Sequence, residues 1–460
     1  MPTQGGRRRL LMVAAGCHPT ASMEWRIGWR RALLAAEVHD VTVLHGPGME
    51  SEELAAAARA QRGRDEGLRF VRVERGALGD CFNACEATFY LGYRQWNRRA
   101  YEVGKRLHDE RPFDLVHQVN YCGYREPGFL WKLGVPFVWG PVGGTQNLPL
   151  RFLGCVDPLS AARELSRGAM NAWQLRHSRP VRRAAKGSAF MMAATTTAER
   201  DIRRALGVET VRQLETGLDC QVAPPRPPRP TSEPLHILWA GRLRAWKALP
   251  LLLRAAAQLP PSVPFALRVL GSGPCRGRWR RMAERLGISD RVEWVEWPGY
   301  AETLPHYRWA DAFAFTSLRD TSGTGLLESL AAGTPIVGLD HQGAADIMTA
   351  DCSLPIPVTT PRSTIKAFTD ALAELAADAD HWSRLSEGAR RRASGFAWDD
   401  RLAFTQRVYD QALNHALPSA ASLFASPGAE PASEPGIGTP RGERRGRQPR
   451  RDGSHLTPAV

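Results

Sequence analysis

DTSGTGLLESLAAGTPIVGLDHQGAAD, which runs from Asp320 to Asp346, carries the clearest architectural signal in the chain. It sets Asp320, a Gly-rich turn and Glu328 ahead of an apolar, helix-like segment, and a Gly-Thr-Pro break then leads into the apolar run 336–339. Strand-end loop, short helix and next strand is the order in which α/β proteins build ligand sites at the carboxyl ends of parallel strands. Carboxylates accept strong hydrogen bonds from hydroxyl groups. The stretch therefore predicts a sugar or ribose site.

Outward from this stretch, short apolar runs alternate with helical segments along most of the chain. The runs that predict strands in the first half are Leu10–Ala15, Val41–Gly46, Phe70–Val73, Phe113–Val119, Pro136–Gly140 and Ala189–Thr195. Helical segments such as Trp29–Val38 lie between them, and a second series of strands starts at His236, Phe265, Arg291, Ala312 and Pro335. Such alternation is typical of doubly wound parallel sheets. The sequence thus predicts two Rossmann-like α/β domains that face each other across a cleft, a common place for a ligand.

Composition suggests where these domains begin and end. The N-terminal domain is predicted over 1–222, and the Pro-rich stretch 223–234 is predicted to be a linker. The second domain follows over 235–395, and a last helix is predicted over 396–416. Residues 417–460 are rich in Pro, Gly, Ser, Glu and Arg, a composition that cannot bury a core, so this tail is predicted to be disordered.

The charge of the chain is its least ordinary property. Sixty-one Lys and Arg against 47 Asp and Glu give a net charge of +14, nearly all of it from arginine. A positive net charge favours binding to nucleotide phosphates, anionic lipid surfaces or nucleic acid. The alternative is that the base composition of the genome accounts for the richness in Arg and Ala. The basic stretch Arg163–Lys186 suits an anionic membrane surface, and a solvated surface helix is the alternative.

The cysteines and the start of the chain bear on location. The eight cysteines are scattered, and only Cys81 and Cys85 lie close together, without a zinc pattern. Arg7 to Arg9 followed by LLMVAAGC imitates a signal peptide, but a buried first strand explains these residues better. No apolar run reaches the roughly 18–20 residues of a membrane helix. These features predict a cytoplasmic protein with reduced thiols, associated at most with the inner face of the membrane.

Three short motifs of the second half fit the recognition of a nucleotide. Arg242 closes a strand and Lys247 stands at the start of a helix, so together they could neutralise a diphosphate. Gly271 and Gly273 follow the next strand, where glycine lets the backbone approach a phosphate closely. Gly299 lies in a turn whose backbone could contact a base. Two surface cations and plain tight turns remain the alternative interpretations.

Taken in order, these segments resemble the retaining, nucleotide-sugar-dependent glycosyltransferases of family four, which have the GT-B fold. The resemblance covers nearly the whole chain up to the tail, and DTSGTGLLESLAAGTPIVG is its most specific part. It implies that Arg242 and Lys247 bind the donor diphosphate and that Glu328 binds the ribose hydroxyls. Asp320, where the family usually has Glu, would bind the transferred sugar. The glycines implied on the donor side are Gly271, Gly273, Gly299 and Gly323.

The N-terminal half resembles one branch of the same family. GCHPTASMEWRIGW, from Gly16 to Trp29, is similar to its phosphate-side loop, and 117–149 is similar to the segment that includes Arg-Glu-Pro. The resemblance implies an acceptor side that contains Ser22, Glu24, Gly28 and Glu126. It also implies that His117, near the end of a strand, touches the transferred sugar. The last helix resembles the one that crosses back to the first domain.

These likenesses imply a substrate and a set of partners. The donor would be a nucleoside-diphosphate sugar, with no metal or other cofactor, and the acceptor a glycan, a lipid-linked molecule or a small molecule. Specific nucleic-acid binding is not expected, because no aromatic and basic reader motif is present. A GT-B isomerase, a phosphorylase-like enzyme and a non-enzymatic nucleotide or nucleic-acid binder remain alternatives.

Overall fold

A computed structural model describes residues 7–64, 66–76, 88–219, 221–297, 299 and 302–414. The predicted tail over 417–460 and the cysteine pair Cys81 and Cys85 lie outside the described residues. The remaining ranges contain two parallel sheets with helices on both faces.

The first sheet is built by the N-terminal half, with the strand order β3-β2-β1-β4-β5-β6-β7 and parallel pairing throughout. Its strands are β1 (Arg9–Ala14), β2 (Asp40–His45), β3 (Leu68–Arg72), β4 (Leu115–Asn120), β5 (Phe137–Val142), β6 (Phe190–Ala193) and β7 (Val211–Arg212). The helices of this half are α1 (Met23–Ala35), α2 (Ser51–Arg62), α3 (Phe89–Glu110), α4 (Pro158–His177), α5 (Arg179–Gly187) and α6 (Thr196–Leu206). Strand order reverses between β1 and β4, so the loops after these two strands flank the switch point of the sheet.

The second sheet repeats this plan, with the strand order β10-β9-β8-β11-β12-β13 and a switch point between β8 and β11. Its strands are β8 (Leu235–Ala240), β9 (Phe265–Leu270), β10 (Val292–Val295), β11 (Ala312–Phe315), β12 (Ile336–Leu339) and β13 (Ser353–Ile356). Its helices are α7 (Leu249–Ala256), α8 (Arg276–Arg285), α9 (Leu304–Trp309), α10 (Thr324–Ala332), α11 (Gln342–Ile347), α12 (Pro361–Ala377) and α13 (Ala379–Ser394), and α14 (Trp398–Leu413) follows. The two doubly wound sheets predicted from the sequence are confirmed.

The sequence missed two edge strands and misplaced one helix start. β7 has two residues and β13 contains Pro355, so neither shows the usual strand signal. Helix α1 begins at Met23, whereas the sequence pattern predicted a start at Trp29. The first turns were missed because they contain Gly28, and glycine is unfavourable in a helix interior. The loop predicted over Gly16–Trp29 is therefore helical in its second half.

The stretch 223–234 has no helix or strand, yet it is held against the second half of the chain. Arg229 is buried and donates hydrogen bonds to the carbonyls of Glu233, at 2.9 Å, and Ala376, at 2.5 Å. Arg226 forms an ion pair with Asp311 at 3.2 Å. The predicted linker is thus a docked segment and not a free spacer.

Helix α14 returns to the N-terminal half, where it contacts α1, β4 and β5. Leu218 forms a backbone bridge with Ala397, and its N–H donates to the carbonyl of Phe396 at 2.8 Å. Val408 and Tyr409 of α14 are fully buried in a core cluster with strands β1 and β4. The last helix therefore belongs to the core of the first sheet.

A segment of the N-terminal half packs, in turn, into the core of the second half. After β5, a 3-10 turn over Leu150–Cys155 inserts Phe152 into the core of the second half, together with Leu148 and Val156. Helices α7 and α12 supply the surrounding side chains, among them Leu253 and Leu372. The two halves thus share core residues in both directions.

Candidate donor and acceptor site

The loops at the switch point of the second sheet place two predicted donor residues side by side. Lys247 ends a 3-10 turn after β8, and Asp320 lies in the loop after β11. The Lys247 ammonium forms an ion pair with the Asp320 carboxylate, and both side chains remain about one-fifth exposed. Thr316 ties the two loops by donating its hydroxyl proton to the carbonyl oxygen of Lys247 at 2.7 Å. The structure thus joins the predicted phosphate cation and the predicted sugar carboxylate.

Arg242 contributes the second cation of the same loop. Its side chain is exposed, and its charge acts on the carboxylate of Glu24 in the N-terminal half. A guanidinium next to the other half and an ammonium next to Asp320 give the loop after β8 two cations. Such a loop can bind an anion that reaches across the switch point.

Gly271 and Gly273 have a packing role that the structure makes plain. A Cβ on Gly271 would lie 2.0 Å from the carbonyl oxygen of Gly241, and one on Gly273 would lie 2.7 Å from that of Leu243. Leu243 also donates its N–H to the carbonyl of Ser272 at 2.8 Å. These glycines let the loops after β8 and β9 touch, which supports the position of Arg242. Contact with the donor stays a prediction for both.

Gly299 is exposed, with open space around the position of a Cβ. Its carbonyl accepts the N–H of Glu302 at 3.0 Å. The neighbouring residues Pro298, Tyr300 and Ala301 lie outside the described residues, so contact of this turn with a base stays a prediction.

Gly323 and Glu328 belong to the start of helix α10. Gly323 precedes the helix with φ +62°, and a Cβ there would lie 3.0 Å from the ring of Phe315, so glycine suits this position. Glu328 is buried, and this burial raises the pKa of its carboxyl to about 7, against the opposing effects of a hydrogen bond with Tyr307 and the charge of Arg26. Contact of Glu328 with a ribose stays a prediction.

The first turn of α1 supplies the N-terminal side of the site. Ser22 precedes the helix, and Glu24 accepts the backbone N–H of Cys122 through Oε1 at 3.0 Å. Cys122 follows β4, so this bond joins the first turn of α1 to the loop after β4, at the switch point of the first sheet. Burial raises the pKa of the Glu24 carboxyl, while Arg242 lowers it.

Two predicted acceptor residues are buried within the N-terminal half. Gly28 lies inside α1, where a Cβ would come within 2.2 Å of the carbonyl oxygen of Gly16, so it permits close packing of the helix and does not present a surface to an acceptor. Glu126 faces α3, under the influence of Arg94 and Arg98, and burial raises the pKa of its carboxyl to about 7. The prediction for Gly28 is corrected accordingly.

His117 requires the clearest correction. It is fully buried in β4, with Nδ1 at 2.6 Å from the hydroxyl of Tyr409 and Nε2 at 2.8 Å from the carbonyl of Gly140. Nε2–H donates to the carbonyl and Nδ1 accepts from the hydroxyl, so both ring nitrogens are occupied. Burial lowers the pKa of the imidazole to about 3, with a further effect of Arg31, and the ring is neutral. His117 therefore anchors α14 to the first sheet and does not contact a sugar.

Several contacts between the halves had no sequence signal. Arg319, next to Asp320, forms a two-point ion pair with Glu164 of α4 at 3.0 and 3.1 Å. Gln342 donates to the carbonyl of Asn147 at 2.9 Å, and Ser322 donates to Glu215 at 2.8 Å. The paired residues are between 107 and 195 positions apart, a separation at which local spacing carries no information.

Among the described residues, no group of three or more His, Cys, Asp and Glu side chains is placed to hold a metal ion. The same part of the chain has no helix that combines the length and the apolar character needed to cross a bilayer.

The fold is shared with solved structures of enzymes that act on sugars. Sucrose-phosphate synthase from Thermosynechococcus elongatus aligns with a TM-score of 0.60 at 17% identity, covering 89% of this chain and all of that one. Anabaena HepE in complex with UDP and glucose aligns with a TM-score of 0.56 at 12% identity, covering 88% of this chain and all of that one. WaaG, a glycosyltransferase involved in lipopolysaccharide biosynthesis, gives 0.54 at 16% identity, with 85% and 98% covered. The chain therefore has the GT-B fold, as predicted.

Sequence comparison finds related proteins for the second half of the chain. Residues 225–392 match the glycosyl transferases group 1. D-inositol 3-phosphate glycosyltransferase of Corynebacterium glutamicum is 30% identical over 192 residues, which span 39% of this chain and 45% of that protein. The putative colanic acid biosynthesis glycosyltransferase WcaL of Escherichia coli is 30% identical over 152 residues, 32% of this chain and 37% of that protein. The chain thus covers less than half the length of these relatives. Its second half is thus similar to the group 1 glycosyl transferases.

Proposed function

We propose that the protein is a retaining glycosyltransferase of family four, which moves a sugar from a nucleoside-diphosphate sugar to an acceptor hydroxyl. The observation that carries this proposal is the Lys247–Asp320 pair at the switch point of the second sheet, with Arg242 in the same loop. Cations for a diphosphate and a carboxylate for a sugar stand together where α/β sheets bind ligands.

In this reaction the bond between the sugar's anomeric carbon and the diphosphate breaks, and a bond to the acceptor oxygen forms on the same face. The acceptor proton passes to the departing phosphate oxygen, so no pair of carboxylates of the glycosidase kind is needed. Lys247 and Arg242 stabilise the negative charge that grows on the diphosphate. The protein's own cations supply this stabilisation, and we propose that neither a metal nor another cofactor takes part.

The names of related proteins support the kinds of substrate. HepE has been solved with UDP, with UDP and glucose, and with UDP-glucose, which supports a nucleotide-sugar donor. The names of other similar proteins refer to D-inositol 3-phosphate, to colanic acid biosynthesis and to the lipopolysaccharide outer core. We propose that the acceptor is a glycan, a lipid-linked molecule or a small molecule of glycoconjugate assembly in the cytoplasm.

The test is a panel of UDP-, GDP- and ADP-sugars together with the free nucleotides. We expect one nucleotide to raise the melting temperature, because a ligand at 100 times its Kd stabilises the folded state by about 2.7 kcal/mol. The matching sugar should be transferred or slowly hydrolysed. NMR of the product should show that the anomeric configuration of the donor sugar is retained. Release of an inverted product would contradict the mechanism. A stabilising effect of DNA alone would favour a nucleic-acid binder.

The proposal includes contact with an anionic membrane surface, which rests on the solvent-facing side of the 3-10 turn Leu150–Cys155 and of the helices α4 and α5 that follow it. We call it the α4–α5 surface. Its large exposed apolar side chains are Leu150, Leu159, Leu165, Met170 and Trp173, and its exposed cations are Arg151, Arg163, Arg176, Arg179, Arg182, Arg183 and Lys186. Leu159, Met170 and Trp173 recur at helical spacing on the face opposite buried Glu164 and Asn171. An apolar helix face turned to solvent among cations suits the interface of an anionic bilayer.

The exposed charge of this surface is predominantly positive. Asp157 and Glu164 are the only acids between residues 150 and 187, and they pair with Arg278, at 3.2 Å, and Arg319, at 3.0 Å. The pair with Arg319 also binds the buried face of α4 to the loop that carries Asp320. A bilayer on the outer face of α4 would hold a lipid-linked acceptor one helix away from the proposed sugar site.

Co-sedimentation with vesicles that contain phosphatidylglycerol tests this contact. We expect the wild type to bind at low ionic strength and to be released by salt, since each cation near an anionic surface contributes about 1 kcal/mol. The double change Met170→Glu and Trp173→Glu should abolish the binding. Trp297→Glu, which alters an exposed tryptophan of the other half, is the control and should bind as the wild type does. A wild type that stays in the supernatant at low salt would remove the membrane from the proposal.

A further inference from the structure

Glu215 is a buried carboxyl between the two halves, and neither the motifs nor the comparisons assign it a role. It lies between β7 and the stretch 223–234, where the chain passes from one half to the other. Its Oε1 accepts the hydroxyl proton of Ser322 at 2.8 Å. Ser322 stands between Asp320 and Gly323, so Glu215 binds the very loop that carries the proposed sugar carboxylate.

The backbone of Glu215 is fixed from the opposite side. Arg31 of α1 donates to the carbonyls of Leu214 and Glu215, both at 3.2 Å. Nearby, Asp219 forms ion pairs of 2.6 Å with Arg26 and with a second arginine of α1, Arg30. The main chain at Glu215 is therefore hydrogen-bonded to α1 of the N-terminal half, while its side chain reaches the loop of the other half.

We propose that Glu215 is a positioning residue for the proposed sugar transfer, holding the loop 320–323 in place through Ser322. This inference rests on the proposed function for its effect on activity. The bond between the two side chains is independent of it.

The surroundings favour the neutral carboxylic acid. Burial, together with the charges of Glu24 on α1 and Asp320 on the loop, raises the pKa of Glu215 to about 8, against the opposing effects of the hydrogen bond from Ser322 and the charge of Arg31. The buried thiol of Cys122 lies within the same electrostatic environment. Oε2 is buried and has no hydrogen-bond partner among the described residues. A proton on the carboxyl removes the cost of burying an uncompensated charge.

This protonation predicts a sign for the pH dependence. The folded-state pKa lies above the ordinary value of 4.5, so the stability that Glu215 contributes is fully present below pH 4.5 and is lost as the pH rises toward 8. Glu215→Gln keeps a neutral side chain of the same shape. We expect its melting temperature to exceed that of the wild type by a margin that grows from pH 5 to pH 8 and is constant above.

The activity test compares Glu215→Gln with Glu215→Ala and Ser322→Ala, using the donor that the panel identifies. Glu215→Ala and Ser322→Ala should raise the KM for the donor roughly tenfold, the effect of one hydrogen bond in the interior, whereas Glu215→Gln should stay near the wild-type KM. Glu209→Gln, a change at an exposed side chain of the same stretch, is the matched control.

A melting-temperature cycle separates the inference from the proposed function. The double variant Glu215→Ala with Ser322→Ala should lose less than the sum of the two single losses, because both remove one interaction. Additive losses, or equal KM values for the Gln and Ala variants, would overturn the positioning role. Absence of transfer by the wild type from every donor would instead overturn the proposed function, with the cycle still deciding whether the two side chains are coupled.

Discussion

Lys247→Ala is expected to lower the rate of sugar transfer by about 10²–10³-fold, with a much smaller change in the KM for the donor. The ammonium would stabilise charge that develops on the departing diphosphate, so its effect is larger in the transition state than in the bound donor. The loss corresponds to about 3–4 kcal/mol of barrier, the scale measured for single groups that stabilise a developing anion. Steady-state kinetics with the identified donor measures it.

A second lysine in the same half of the chain provides a matched control. Lys366 is one of only five lysines, lies on α12 and pairs with Asp370 in the solvent, with 73% of its side chain exposed. Lys366→Ala should transfer sugar at the wild-type rate. Lys247→Arg keeps the charge but not the compact shape of the ammonium, so its rate should fall between those of the wild type and Lys247→Ala. Near-normal transfer by Lys247→Ala would contradict the assignment of the site.

Phe152→Ala is expected to be the most destabilising of the changes considered, although Phe152 belongs to none of the motifs assigned to the donor or the acceptor. Its ring is fully buried in the core of the second half, while its backbone belongs to the segment after β5 of the first. Removing a buried phenylalanine leaves a cavity and costs about 3–5 kcal/mol. Calorimetry or denaturant unfolding should show this loss in the transition of the second half.

Leu150 of the same 3-10 turn provides the control, since 71% of its surface is exposed. Leu150→Ala should change the free energy of unfolding by no more than about 0.5 kcal/mol. Equal stability of Phe152→Ala and the wild type would mean that the segment does not pack into the second half in solution.

The sequence predicted the strands better than it predicted the contacts between side chains. The apolar runs predicted the central strands, and the Gly-rich breaks after them predicted where Lys247 and Asp320 lie, since parallel strands bring their carboxyl ends to one edge. The edge strands β7 and β13 escaped because they are short or interrupted by proline. His117 was misassigned because a strand pattern shows that a side chain is buried and not which helix covers it. That helix is α14, whose Tyr409 lies 292 residues later in the chain and is hydrogen-bonded to His117.

The sequence by itself determined two doubly wound sheets and the loops at their switch points, because burial periodicity and strand ends are local properties of the chain. Only the tertiary structure decided which side chains meet. It paired Lys247 with Asp320, seated Gly28 against Gly16, inserted Phe152 into the second core and linked Glu215 to Ser322. These contacts join residues whose separation along the chain carries no periodic signal. The contacts of Phe152 and Glu215 depend, in addition, on how the two halves pack against each other, which is decided by the burial of shared apolar surface and the pairing of buried polar groups.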